Sequence, residues 1–351
     1  LTWDIALILS VDGVAGAAIY LLAGLGLVLV FSVTRVIFVP FGDIAVFSAL
    51  TLAYLEAGRW PPTIALVAVL AAITAVKEVV AHLRHGRVAK VPAALGTWLG
   101  LPLLACVPAQ LLAGQELPPL VDIALTLALV LPIVPLMARL VFHPIAHAST
   151  LVLLIASLVM HFLMSGLGLL FFGPEGFRTQ PLMRGAVELA PGFLVSAQVL
   201  LMVGAAAVLA GLFFLAFERT LVGKALRATA VNRTGAQLVG IRPASTAALT
   251  YCAVSLLAGF VGILIAPSTT MYYDSGLIIG LKAFVAAIIG GLSSYPLTAL
   301  GALAVGMLES FASFWDGALK DVIVFSLLIP ALMIRSHFSH HSDDDVEEEE
   351  V

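Results

Sequence analysis

The chain has 351 residues, 61% of them apolar and only 11% charged, and its mean hydropathy is +1.11. A water-soluble globular domain carries about a quarter charged residues, so that class is excluded. The net charge of −4 misstates the body of the protein, because the last nine residues, DDDVEEEEV, hold seven acids and the remainder carries +3; no nucleic-acid partner is expected.

Apolar runs punctuated by glycine, proline and charge predict an all-α polytopic membrane protein with about 11 transmembrane or half-membrane helices. The short alternating segments of a transmembrane β-barrel are not visible. In chain order the helices fall at roughly 13 to 34, 40 to 57, 62 to 83, 91 to 113, 119 to 142, 148 to 172, 193 to 217, 245 to 268, 276 to 292, 296 to 314 and 320 to 335. The first run has no basic flank and is too long for a signal peptide, so a retained helix is expected; Leu1 in place of Met points to processing or an unusual start codon. The ninth and tenth helices, joined by GGLSSYP, read as half-helices or a re-entrant pair. Residues 339–351 read as a solvated acidic tail beyond a membrane domain spanning 1–338.

Counting Lys and Arg in alternate loops sets the orientation. One side collects Arg35, Arg84, Arg87, Lys90, Arg139, Arg219, Lys224, Arg227, Arg233, Arg242 and Arg335, which is 11 of the 17. That side is expected to be cytoplasmic, with the N-terminus outside and the C-terminus inside. Asn232-Arg233-Thr234 matches a glycosylation sequon, but a cytoplasmic loop excludes its use.

Few ionisable groups fall inside the helices, where they are costly and face a cavity or a partner. Asp43, after Pro40 and Gly42, either favours the N-terminus of the second helix or contacts the cytoplasmic loop. His161, near mid-membrane, is a hydrogen-bonded packing residue or part of a solute path. Lys282 and Glu309 lie at similar depth and could pair, lining the outer mouth of a pathway or locking a hairpin; alternatively Lys282 snorkels outward. His143 and His147 have an i, i+4 spacing, yet Pro144 and the lack of nearby carboxylates favour capping of a helix end over metal binding. Cys106 and Cys252 read as core residues, and no metal site or catalytic constellation is evident.

The longest charged loop, 218–242, contains RATAVNRTGAQLVGI, an apolar set broken by Arg227, Asn232, Arg233 and Gln237. The pattern predicts a short amphipathic helix along the membrane face, with its break near Gly235 or Gly240. It is either a coupling element or an inert basic loop that follows the orientation rule. GKALRATAVNRTGAQLVGI resembles the cytoplasmic coupling loop of ABC importer permeases of the branched-chain amino acid uptake family. LLAGLGLVLVFSVTRVIFVPFGDIAVFSALTLAYL, RLVFHPIAHASTLVLLIASLVMHFLMSGLGLLFFGPEG and GLIIGLKAFVAAIIGGLSSYPLTALGALAVGMLES with LKDVIVFSLLIPALMIR resemble other parts of that family, in its order. Residues 60–118 look like an insert. The family more often has histidine and glutamate where this chain has Phe41 and Asp43, and RSHFSHHSDDDVEEEEV replaces its usual ending.

The resemblance implies the membrane subunit of an ATP-driven ABC importer in the cell inner (plasma) membrane. It would move a small polar solute, first of all branched-chain or other hydrophobic amino acids, by alternating access. A sister permease subunit, two ABC ATPase subunits and an extracytoplasmic solute-binding protein would be its partners. Arg227, Asn232, Arg233, Gly235, Gln237, Leu238, Gly240 and Ile241 would form the ATPase-coupling element, with Leu238 and Ile241 anchoring it against the helix ends. The chain contains no G-x-x-x-x-G-K-[ST] loop, so it is not expected to be an enzyme, and ATP and Mg would sit on the partners. The alternative is a secondary transporter or channel for a small solute such as urea or an amide, working without an ATPase.

Overall fold

The computed structural model describes residues 3–115, 117–190 and 193–333. The acidic tail expected at 339–351 and Arg335 lie outside them. Helices occupy all of the expected stretches: α1 (Trp3–Thr34), α2 (Phe41–Glu56), α3 (Thr63–Arg84), α4 (Val91–Leu95), α5 (Leu101–Leu112), α6 (Pro119–Val130), α7 (Ile133–Met137) and α8 (Thr150–Phe172) come first. After a hairpin follow α9 (Ala197–Arg219), α10 (Leu221–Val231), α11 (Arg233–Leu238), α12 (Pro243–Ile265), α13 (Gly276–Ile289), α14 (Tyr295–Trp315) and α15 (Lys320–Ser326). Among the described residues, eight helical stretches are long and apolar enough to cross a membrane; α4 and α5 share one, Val88–Leu112, and α6 and α7 another, Pro119–Phe142. Of the pair expected as half-helices only α13, at 14 residues, is short, while α14 has full spanning length.

The seventh helix begins at Ala197 rather than near 193, because strands β1 (Ala186–Ala190) and β2 (Phe193–Ser196) pair antiparallel ahead of it.

The chain divides into two compact units, one drawing on Leu1–Val28, Gly185–Gly211 and Leu281–Val351 and the other on Leu29–Arg184 and Leu212–Gly280. In the first, α14 runs antiparallel to α1: Ser310 Oγ donates to the Leu9 carbonyl at 2.7 Å, and further along Gly24 faces Thr298. A side chain on Gly306 would sit 2.4 Å from the Gly13 carbonyl, so these helices pack backbone to backbone, as small residues permit in lipid. Tyr20, Val285, Ala286, Ala302, Val305 and Val324 form the apolar core beside that crossing.

In the second unit α2 is almost wholly buried and packs mainly on α12, where Ser48 Oγ donates to the Gly259 carbonyl at 2.8 Å. The span ending at Phe142 closes in a π-helical turn, 138–142, in which His143 N–H reaches back to Ala138. That wider turn, together with the missing N–H of Pro144, frees the carbonyls of Arg139 and Leu140. Lys77 Nζ donates to both, at 2.9 and 3.1 Å. The helix end is thus capped by Lys77, not by the side chains of His143 and His147 as expected.

Candidate functional site

Among the described residues, three ion-paired constellations interrupt the hydrocarbon. The first is set by a chain that leaves helical geometry from Arg35 to Pro40 before α2 begins. Val39 N–H donates to Ser157 Oγ at 2.9 Å and Asp43 Oδ2 meets His161 Nδ1 at 2.7 Å, both partners being on α8. His161 is 11 residues into α8, about 17 Å along its axis. The start of α2 therefore lies near mid-span, and the non-helical backbone leading to it is tolerated at that depth because Val36, Phe38 and Pro40 are buried in protein. Asp43 does sit in the first turn of α2, but its partner is His161 rather than the loop at 218–242. Both side chains are nearly sealed from solvent, at 1% and 5%. Asp43 Oδ1 is buried with no hydrogen-bond partner among the described residues. It faces Gly276 at the start of α13, where an added Cβ would lie 2.5 Å from that oxygen.

The second constellation, in the other unit, centres on Lys282. Its Nζ donates to Glu309 Oε1 at 2.6 Å and lies 2.8 Å from Asp321 Oδ1, while Tyr20 Oη donates to Glu309 Oε2. Both Glu309 oxygens are therefore satisfied and the lysine is shared by two carboxylates. Lys282 is buried and points at these partners, not outward along the helix to water. Glu309 also borders a polar cavity of about 440 Å³ with Asp12, Tyr20, Ser310 and Ser313. Asp321 and Tyr20 were missed by sequence reasoning, because neither spacing nor depth on its own helix ties them to residue 282.

A third group was also missed. Arg139, counted above only as a loop charge, forms a two-pronged pair with Glu78 at 2.7 and 2.9 Å and lies over the Trp98 ring at 5.5 Å. The signal was the Lys77-Glu78 dipeptide inside an apolar run. This pair ties α3 and the 88–112 span, within the stretch read as an insert, to the neighbouring span.

Outside the spans, the 218–242 segment folds as two helices, broken first at Asn232 rather than at Gly235, with the second ended at Gly240. Asn232 Oδ1 accepts from Gly235 N–H at 2.8 Å and so caps α11. Gly240, at φ 87°, ends that helix, with Gly240 N–H bonded to Gln237 and Ile241 N–H to Ala236, each at 3.0 Å. Upstream, Thr220 Oγ1 caps α10 by accepting from Gly223 N–H at 3.0 Å. Arg227 ties α10 back to Glu218 at 2.7 Å. Leu238 does not anchor the element: it is 85% exposed, and buried Ala236, Leu226 and Thr229 face inward instead, with Ile241 half-buried. Val231 at 86% and Val239 at 76% join Leu238 in standing free, whereas Gln237 and Arg233 are exposed polar groups.

Buried ion pairs, non-helical backbone at depth and eight apolar spans define a multi-pass helical membrane protein with polar groups held inside its bundle. A profile of the family described as branched-chain amino acid transport system, permease component, matches residues 9–334, and the chain belongs to that family. It is 28% identical over 204 residues to the high-affinity branched-chain amino acid transport system permease protein LivH of Salmonella typhimurium (strain LT2) and, equally, of Escherichia coli (strain K12). That match covers 56% of this chain and 66% of each LivH, so it spans just under two thirds of their length. The corresponding permease protein BraD of Pseudomonas aeruginosa is 35% identical over 120 residues, 34% of this chain and 39% of BraD. No solved structure matches.

Proposed function

We propose that the chain is the membrane-spanning subunit of an ATP-driven importer in the inner membrane. It pairs with a sister permease, each permease docks one of two ATPase subunits on the cytoplasmic side, and an extracytoplasmic binding protein delivers the solute. Branched-chain or other hydrophobic amino acids are the solutes, a reading supported by the family and by the names of its relatives. The observation that carries the ATPase partner is the α10–α11 pair. A helix pair capped at Thr220 and Asn232 and ended at Gly240 exposes five large apolar side chains, Leu221, Val222, Val231, Leu238 and Val239, outside the spans. Apolar groups clustered on a rigid element in water are the mark of a docking surface. Such an element moves as a body with α9 and α12, which it joins, so closure of an attached ATPase is passed to the spans as a lever motion. The sunken start of α2, with Asp43 and His161, is a place where spans of its unit can part without breaking helix hydrogen bonds.

The test is reconstitution of the chain in proteoliposomes with the ATPase, sister permease and binding-protein subunits of a branched-chain amino acid transport system, scored by uptake of leucine, isoleucine and valine against an amide such as urea. Uptake that needs both ATP and the binding protein is expected. Solute flux through the chain alone, indifferent to ATP, would instead establish a stand-alone channel or secondary transporter.

A further inference from the structure

Beneath the α10–α11 pair lies a cleft of about 300 Å³ whose polar lining includes Arg35, His147, Ser149, Thr150, Thr229 and Arg233. A smaller hollow of about 110 Å³ adjoins it, sharing Thr34, His147 and Arg233 and walled by Phe142 and Tyr251. No lining residue of either is a carboxylate. Glu218, the acid of α10's own ion pair, is engaged by Arg227 and lines neither hollow. Desolvation, with the charge of Arg139 nearby, holds His143 below the ordinary histidine value, so at neutral pH it enters the smaller hollow as an uncharged group. The fixed charge of the cleft is therefore that of two arginines, with the Ser149 and Thr150 hydroxyls beside them, while Thr34 and Thr229 give their hydroxyl protons to the Val30 and Ala225 carbonyls.

Its position narrows what such a site can take. The end of α1 at Thr34 borders both hollows, the start of α8 at Thr150 borders the larger, and the end of the 119–142 span at Phe142 and the start of α12 at Pro243 border the smaller. Four span ends around two adjoining hollows put them at the level where a bilayer presents its phosphates. Val33 and Leu153 give the larger hollow an apolar wall facing the spans. A doubly basic, hydroxyl-lined and carboxylate-free hollow with a greasy inner wall matches a group that is anionic at one end and apolar at the other.

We propose that this cleft binds a phosphate oxyanion at the membrane surface, held by Arg35 and Arg233, and that its ligand is the headgroup of an anionic phospholipid. The bound phosphate joins the first residue of α11 to the end of α1, so lipid charge sets how firmly the α10–α11 pair is seated. The inference concerns the chain by itself and does not rest on the ATPase partner.

The test is native mass spectrometry of the purified full chain in detergent, titrated with dioleoyl-phosphatidylglycerol, with dioleoyl-phosphatidylcholine or with inorganic phosphate. The wild-type chain is expected to retain phosphatidylglycerol in preference to phosphatidylcholine. Arg233→Gln should weaken that binding about fivefold, and R35Q/R233Q by that factor again, since each arginine at a charged surface is worth about that much. The control R84Q/R87Q, which removes two exposed arginines outside the cleft, should bind as the wild type does. Equal loss in that control, or full retention by Arg233→Gln with unchanged circular dichroism, overturns the site. Binding of inorganic phosphate without phosphatidylglycerol overturns the lipid as its ligand. Should R35Q/R233Q lose its helicity, the comparison of Arg233→Gln with Arg233→Lys decides: a lysine that binds no better than glutamine there overturns the proposal.

Discussion

Lys282 illustrates how much a single buried residue carries in this protein. Removing one member of a buried ion pair leaves the others uncompensated, so Lys282→Gln should lower stability by roughly 3 to 5 kcal/mol, visible as a lower thermal midpoint in detergent. Exchanging the partners as K282E/E309K should recover little of this, because Asp321 would then face a carboxylate at position 282, where it now has Nζ at 2.8 Å. Full recovery by the exchange would show that Asp321 plays no part. At Gly276 the constraint is space: a methyl group would lie 2.5 Å from Asp43 Oδ1 and 2.6 Å from its backbone nitrogen. Gly276→Ala should therefore cost about 1 to 3 kcal/mol as an overpacked contact, and a wild-type midpoint for that variant would contradict the close approach of α13 to α2.

At the level of elements, the turn between α9 and α10 is closely packed. A side chain on Gly223 would stand 2.1 Å from the Phe217 carbonyl, so Gly223→Ala has to displace α10. ATP-coupled uptake should fall at least about tenfold while the spans stay folded, as a loosened lever predicts; uptake within twofold of wild type would mean that the angle of α10 is immaterial. Asn232→Ala should cost about 1 kcal/mol through loss of the α11 cap, with Asn232→Ser close to neutral, measured by thermal unfolding. Elements of this kind divide in what their sequence reveals. The spans were legible because twenty-residue apolar runs have one solution in lipid, and the Lys282 and Glu309 pair because two charges at one depth in adjoining helices have few other partners. Asp43 was misjudged for want of its helix's depth: the string VTRVIFVPFGD reads as an interfacial turn, and only the bond from Val39 to Ser157 reveals that α2 starts near mid-span. Asn232 was legible as a polar break but not as a cap, since Gly235 and Gly240 just after it offered equally good places to end a helix. Glu78 and Arg139 are 61 residues apart, and no local pattern joins them.

For the molecule as a whole, membership of the permease family and the capped α10–α11 pair point to the same division of labour. Under the proposed function, the spans supply a path with polar groups held inside them, and a small element outside them would take the drive from an ATPase partner. That element's exposed valines and leucines have no evident purpose in a channel that works alone. The most direct test is to measure leucine-stimulated ATPase activity of the reconstituted importer carrying V231D/L238D. Both positions are more than four-fifths exposed, so the fold and its thermal midpoint should be unaffected. The prediction is loss of ATPase association and of stimulated hydrolysis by at least about tenfold, as expected when two anchors of a docking surface are made charged. Stimulated hydrolysis and uptake at wild-type levels in that variant would contradict the assignment of α10–α11 as the coupling element.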